Sequence, residues 1–199
     1  MRIIAGEHRG RRIEGPPGRD TRPMLDRVRE ALFGTLGERI QDARVLDLFA
    51  GTGSLALESL SRGATRARLV ESDARTLRLL RENVRRLGLE ERCEIASGDA
   101  LAPRLWRPRL EGAEPIYDIV FLDPPYPLVD PPAGRRALLA ALERLAAQHL
   151  APGGILVLHA RRARLQARDF PPGLDARARE YGTNAIWYLT ARVAEESQP

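Results

Sequence analysis

From residue 44 onward the chain alternates between short apolar runs and longer segments whose apolar residues recur every three or four positions. The run 44–50, RVLDLFA, is apolar enough for a strand buried on both faces, and the glycine-rich 51–63 reads as a turn followed by a helix. A second strand is predicted over 66–73 (RARLVESD). Residues 74–89 then carry Leu77, Leu80, Val84 and Leu87 at helical spacing, with Gly88 as the stop. A third strand and its exit loop follow at 93–101, and a fourth strand at 117–122 ends abruptly in Asp123-Pro124-Pro125-Tyr126. A long amphipathic helix is predicted over 131–154 and a strand over 155–160. Two more strands, joined at Gly182-Thr183-Asn184, form a terminal hairpin. Regular alternation of strand and helix predicts an α/β, doubly wound, mostly parallel sheet, and the hairpin adds one antiparallel strand.

Residues 1–40 break this rhythm. Residues 1–23 are rich in Gly, Pro and Arg, with a brief apolar/polar alternation that fits a small hairpin. Residues 22–40 place Leu25, Val28, Leu32, Phe33 and Leu36 on one face of a helix. The expected division is an N-terminal extension, 1–40, packed on a main domain, 41–199.

At 199 residues, one principal domain with a substantial core is expected. No apolar run reaches membrane-spanning length, and the first residues lack the apolar stretch of a signal peptide. A lone cysteine, Cys93, excludes an internal disulfide, and together these features favour the cytoplasm. The formal net charge of +5 suits a polyanionic partner. All 32 basic residues are arginine, and residues 1–30 hold eight of them against five acids. A monomer is expected, because no self-complementary apolar stripe lies outside the presumed core.

Two constellations carry chemistry. After the first strand, Gly51, Gly53 and Ala56 follow the pattern G-x-G-x-x-A, and Glu71 ends the next strand. Such glycines let backbone amides approach a ligand, and an acid at that distance accepts bonds from a ribose. This reads equally as a nicotinamide dinucleotide site or an S-adenosylmethionine site. Asp47, before the glycines, tilts the choice toward the methyl donor. A carboxylate there suits the amino group of a methionine moiety and sits awkwardly beside a pyrophosphate. Asp99, after the third strand, can accept from an adenine amine or simply cap a turn. With their neighbours Phe49, Ala50, Ser72 and Ala100, these residues occupy the carboxyl ends of successive strands, the rim where such sheets bind ligands.

The second constellation is Asp123-Pro124-Pro125-Tyr126. The exocyclic amine of a nucleobase is a poor nucleophile because its lone pair is delocalised into the ring. Two acceptors placed on its hydrogens turn that pair outward: the Asp123 carboxylate, and the Pro124 carbonyl fixed by proline geometry. Tyr126 offers a flat face for an unstacked base. The histidines (8, 149 and 159) and Cys93 make no metal-ligand pattern and read as structural, so no metal is expected. Trp106 and Trp187 read as packing residues.

The motifs MRIIAGEHRGRRI at the start, TRPMLDRVREALF (21–33), DLFAGTGSLALESLSRGA (47–64), FLDPPY (121–126) and LAPGGILVLHA (150–160) make the chain resemble the RsmD family. These bacterial methyltransferases modify N2 of one guanine in a hairpin loop of 16S ribosomal RNA. The glycine turn and D-P-P-Y are shared with other amino-methyltransferases, whereas the two N-terminal motifs are more specific. The resemblance implies a Rossmann-like, class I methyltransferase sheet of seven strands, S-adenosylmethionine as cofactor, and 123–126 as the catalytic loop. It also implies an RNA-facing extension around Arg9, Arg11, Arg12, Arg22, Arg27 and Arg29, and a partly or fully assembled small subunit as partner. Met24 departs from the family, where threonine is more usual.

Three other readings compete. An adenine-N6 DNA methyltransferase keeps the chemistry but leaves the N-terminal motifs unexplained and lacks a sizeable target-recognition insertion. An NAD(P)-dependent oxidoreductase leaves Asp47 and D-P-P-Y without a role. A silent RNA-binding protein has little reason to keep a catalytic-type loop.

Overall fold

Four of the five residues of β1 (Arg44–Leu48) are buried, as expected of a strand covered on both faces. A computed structural model describes residues 1–15, 24, 26–108 and 116–192. In it β1 is flanked in parallel by β2 (Arg66–Glu71) and β4 (Tyr117–Leu122). β3 (Cys93–Ser97) extends the sheet beyond β2, and β5 (Leu150–Arg161) lies beyond β4. The terminal hairpin supplies β6 (Leu174–Tyr181) and β7 (Asn184–Ala191). The order is β3-β2-β1-β4-β5-β7-β6, and β7 alone runs against its neighbours. Successive strands step outward from β1 in opposite directions, so the chain reverses its winding between β1 and β4. The carboxyl ends of those two strands therefore frame a crevice.

Helices cover both faces. α1 (Asp26–Leu36), α2 (Ser54–Ser61) and α3 (Ala74–Leu87) share one apolar core with Val45, Leu69, Ile119 and Phe121. The other core packs α5 (Pro132–Gln148) against Leu46, Leu48, Val120, Leu122 and Leu156. Trp106 and Trp187 are buried, as read from the sequence, and Met24 joins the first core. α3 starts where the Asp73 side chain accepts the Thr76 N–H, and it ends at Gly88 in the left-handed conformation. No helix among the described residues is long and apolar enough to cross a membrane.

The predicted helix over 131–154 is too long. α5 ends at Gln148 and β5 already begins at Leu150. Pro152 has no N–H and pushes the residue before it into extended geometry, while Gly153 has φ +74°, so the segment enters the sheet early. The Pro-Pro exit from β4 also continues into a short helix, α4 (Tyr126–Val129), which the apolar pattern does not predict.

The N-terminal hairpin exists as a narrow ribbon. Arg2 and Arg12 form an antiparallel bridge, and Ile3 N–H donates to the Arg11 carbonyl at 2.9 Å. Ile3 and Ile13 are buried beside Val28, Leu32 and Phe33; Leu25 of the predicted helical face lies outside the described residues. Fully buried Glu58 on α2 anchors the ribbon. Its carboxylate accepts the N–H groups of Ile4 (2.7 Å) and Ala5 (3.0 Å) and pairs with Arg62 at 2.7 Å. The backbones meet closely here: a Cβ on Gly6 would lie 1.7 Å from the Ser61 carbonyl oxygen. Glu58→Ala strands two N–H donors and a cation, so a loss of about 2–4 kcal/mol and a Tm lower by roughly 5–10 °C are expected in calorimetry.

Candidate active site

β1 leaves the sheet through a turn that only a few residues can make. Phe49 has φ +64°, unusual for a side chain this large, and Gly51 and Gly53 have φ +56° and +87°. The Ala50 N–H closes onto the Val70 carbonyl at 3.0 Å, which ties the turn to β2. The left-handed φ of Gly53 already favours glycine, and a Cβ there would also press on Leu80 Cδ1 of α3 at 2.6 Å. Gly51 differs. The nearest atom to a Cβ there is 4.0 Å away, so its missing side chain faces open space.

Three carboxylates converge around this turn. Glu71, at the end of β2, accepts the Gly51 N–H at 2.8 Å through Oε2. Its Oε1 accepts the N–H groups of Ser72 and Asp73, each at 2.8 Å. The carboxylate retains room for another donor, because it offers about four acceptor sites. Asp47 is enclosed at 1% exposure. Its Oδ2 accepts the Ala56 N–H in the first turn of α2 at 3.1 Å, and its Oδ1 is buried without a partner among the described residues. Burial pushes its carboxyl up to about 8, against the Ala56 bond and with help from the charges of Asp123, the third carboxylate, and Glu71. The Asp47 side chain therefore first organises the helix start, and one oxygen remains for a donor that the described residues do not supply.

Asp99 is exposed on the rim, and its Oδ1 accepts the Leu101 N–H at 2.9 Å, the turn-capping role that the sequence left open. Ala100 beside it is buried and Ser72 exposed. The neighbouring Gly98 N–H donates to the Glu71 carbonyl at 3.0 Å, which brings the ends of β2 and β3 together.

Across the crevice, Asp123 continues β4 one position beyond the Leu48–Leu122 register pair, and its N–H points at the Leu48 carbonyl (3.4 Å). Its side chain is about one-third exposed. Pro124 is buried, and Pro125 sets φ −62° and ψ 140° at the start of α4. The Tyr126 hydroxyl donates to Asn184 Oδ1 at 2.6 Å, and the Arg161 guanidinium lies 4.3 Å above its ring. One face of the ring that the sequence offers for stacking is therefore covered by an arginine that is itself exposed at the surface. Sequence reasoning missed His159. Expected to be structural, it sits with Nδ1 2.7 Å from Asp123 Oδ1. The only signal available was its place near the end of the strand next to β4.

The basic residues of the extension divide. Arg9, Arg11, Arg12 and Arg27 are exposed, and Arg22 lies outside the described residues. Arg29 departs from the expected RNA-facing role: it is fully buried, donates to the Arg2 carbonyl, and pairs with Asp26 at 3.2 Å. It braces the ribbon against α1. Two cavities, of about 140 and 270 Å³, lie at the opposite, amino-terminal ends of the strands near Arg44, Arg66 and Asp118, away from the glycine turn.

Comparison with known proteins agrees with this fold. The Escherichia coli ribosomal RNA small subunit methyltransferase D is 39% identical over 126 residues, which span 63% of this chain and 60% of that protein. The solved structure of the yhhF protein of Escherichia coli superposes with a TM-score of 0.78 at 30% identity, covering 96% of this chain and 98% of that one. A hypothetical protein of Thermus thermophilus gives a TM-score of 0.71 at 33% identity, covering 96% and 99%. The strand order with a single reversed strand is that of the class I methyltransferases. The family described as conserved hypothetical protein 95 matches residues 1–190, and the chain belongs to it, the RsmD family whose motifs it carries.

Proposed function

We propose that this protein transfers a methyl group from S-adenosylmethionine to the exocyclic N2 amine of a guanine in 16S ribosomal RNA. The observation that carries the reading is the placement of Asp123 at the end of β4, one position past the Leu48–Leu122 register pair, beside the end of β1 that bears Asp47 and the glycine turn. The residues present fit the donor. Gly51 leaves a cradle open, Glu71 has acceptor capacity toward a ribose, and the unpartnered Asp47 Oδ1 is suited to an amino group. When bound, the donor supplies a methyl group on a positively charged sulfur.

The chain's own residues do the rest by positioning. The Asp123 carboxylate and the Pro124 carbonyl accept the two amine hydrogens, so the nitrogen lone pair turns away from the ring and toward the methyl carbon. The Asp123 carboxylate would also take the one proton that the nitrogen sheds when it is methylated. Tyr126 takes the base on its ring in place of the Arg161 guanidinium. A dinucleotide is disfavoured, because it would leave the enclosed Asp47 Oδ1 and the Asp123 loop without a role.

The extension 1–40, with Arg9, Arg11, Arg12 and Arg27 exposed, is the proposed RNA-facing part, and the main domain 41–199 the catalytic one. The partner is 16S ribosomal RNA in an assembled or assembling small subunit, met in the cytoplasm by a monomer. The name of the Escherichia coli relative supports this substrate class. Arg11→Glu is expected to weaken RNA binding about 5- to 20-fold at low salt and to lower the salt slope by roughly one unit, with donor affinity unchanged. Equal affinities across a salt series would remove Arg11 from the interface.

The function is tested with tritiated S-adenosylmethionine and, separately, small subunits, bare 16S RNA and DNA. N2-methylguanosine is the expected labelled nucleoside. Label in N6-methyladenosine from DNA would transfer the assignment to the rival substrate.

A further inference from the structure

One short contact of the Asp123–Tyr126 loop is made by a residue outside both constellations of the sequence. His159 lies on β5, one position beyond the Leu122–Leu158 register pair, so the parallel pairing of β4 and β5 sets it beside Asp123. Its Nδ1 is 2.7 Å from Asp123 Oδ1. The residue is buried at 8% exposure, and Nε2 has no partner among the described residues. That arrangement requires a proton on Nδ1. A proton on Nε2 alone would set the Nδ1 lone pair against the carboxylate's own, which is repulsive at 2.7 Å. A ring protonated at Nδ1 donates to Oδ1 instead.

We propose that His159 is the positioning residue for Asp123: its Nδ1–H holds Oδ1 and thereby turns Oδ2 toward the substrate amine. Asp123 is one-third exposed and otherwise free to rotate about its side-chain torsions. With Oδ1 tied to a strand of the central sheet, rotation would break a buried hydrogen bond, so Oδ2 keeps its direction before the base arrives. The same ring lies 6.5 Å from that of Tyr126, whose hydroxyl is held by Asn184 on β7. The two partners of the loop thus come from adjacent strands, at the Arg161–Asn184 end of their pairing. The loop is aimed by the sheet that follows it in sequence.

This proposal rests on the methyl-transfer reading of the rim, and its test separates the two. In nitrogen-15 spectra of the uniformly labelled protein, the His159 ring should carry a proton on Nδ1, the signal being assigned by its loss in His159→Asn. A ring protonated on Nε2 alone overturns the proposal whether or not the protein transfers methyl groups. In kinetics, His159→Leu should lower kcat about 30- to 100-fold, with donor affinity and the KM for RNA within about twofold of wild type. His159→Asn places an amide N–H where Nδ1 stood and should recover kcat to within about fivefold of wild type. Wild-type kcat in His159→Leu, or equal loss in both variants, would show that the bond positions nothing, while Asp123→Ala separately reports on the site. If wild-type protein transfers no methyl to any RNA, the functional reading fails and the spectra alone decide the pairing.

Discussion

Asp123→Ala is expected to lower the rate of methyl transfer about 100- to 1000-fold while leaving donor affinity within about threefold of wild type. The magnitude follows from the removal of a preorganised acceptor that strengthens as charge develops on the amine, which is where such groups contribute most. The separation follows from geometry. Asp123 stands across the crevice from the Gly51 turn, on the one-third-exposed side of the site, and none of the backbone bonds that shape the turn ends on its carboxylate. Asp123→Asn keeps an acceptor oxygen but loses the charge, and should fall between wild type and alanine. Single-turnover rates with saturating donor, paired with calorimetric titration of S-adenosylhomocysteine, measure both quantities. Unchanged turnover would reject the assigned role.

Asp47→Asn should change both stability and donor binding, in opposite directions. The Asp47 carboxyl is raised to about 8 in the folded protein, chiefly by burial. An aspartate in the unfolded chain titrates near its ordinary value of about 3.9. Between these limits the native state holds a proton that the unfolded state has released, so stability is fully present at low pH and declines as pH rises toward 8. Asparagine has no proton to lose. The variant should therefore lack this part of the pH dependence and melt higher than wild type above about pH 8, by a difference on the order of a few kcal/mol. Donor binding should instead weaken, by about 10- to 100-fold, because asparagine cannot release a proton to become the anionic partner that the donor's cationic amino group would stabilise. Melts at several pH values and donor titrations test the pair. A variant with wild-type pH dependence would mean that Asp47 is ionised throughout.

Most of the rim was legible in the sequence, because its residues sit at fixed offsets from strands that announce themselves by apolar runs. Asp47, Gly51, Gly53 and Glu71 belong to one strand–turn–helix–strand unit, and Asp123 closes the next strand in space. What escaped depends on neighbours distant in the chain. His159 is 36 residues from Asp123 and meets it only once the register of β4 and β5 is set. The Arg161 contact on Tyr126 arises in the same way. Arg29 was within reach of local reasoning: it precedes Leu32 by three positions and Phe33 by four, so it shares their buried face. Its charge made it look like a surface residue, and the Arg2 carbonyl, the Met1 sulfur and Asp26 explain how a guanidinium is accommodated there. The end of α5 was misplaced because the amphipathic pattern runs on past Gln148, while the proline that ends it acts from four residues further along.

A crystal structure of the protein with S-adenosylhomocysteine bound goes most directly to the core of the mechanism. The sulfur is expected beside the Gly51 turn, with the ligand's amino group on Asp47 Oδ1, its ribose on Glu71, and its sulfur within about 5–7 Å of Asp123 Oδ2, room for one methyl group and one nitrogen. A ligand bound elsewhere, or a sulfur separated from Asp123 by protein, would contradict it.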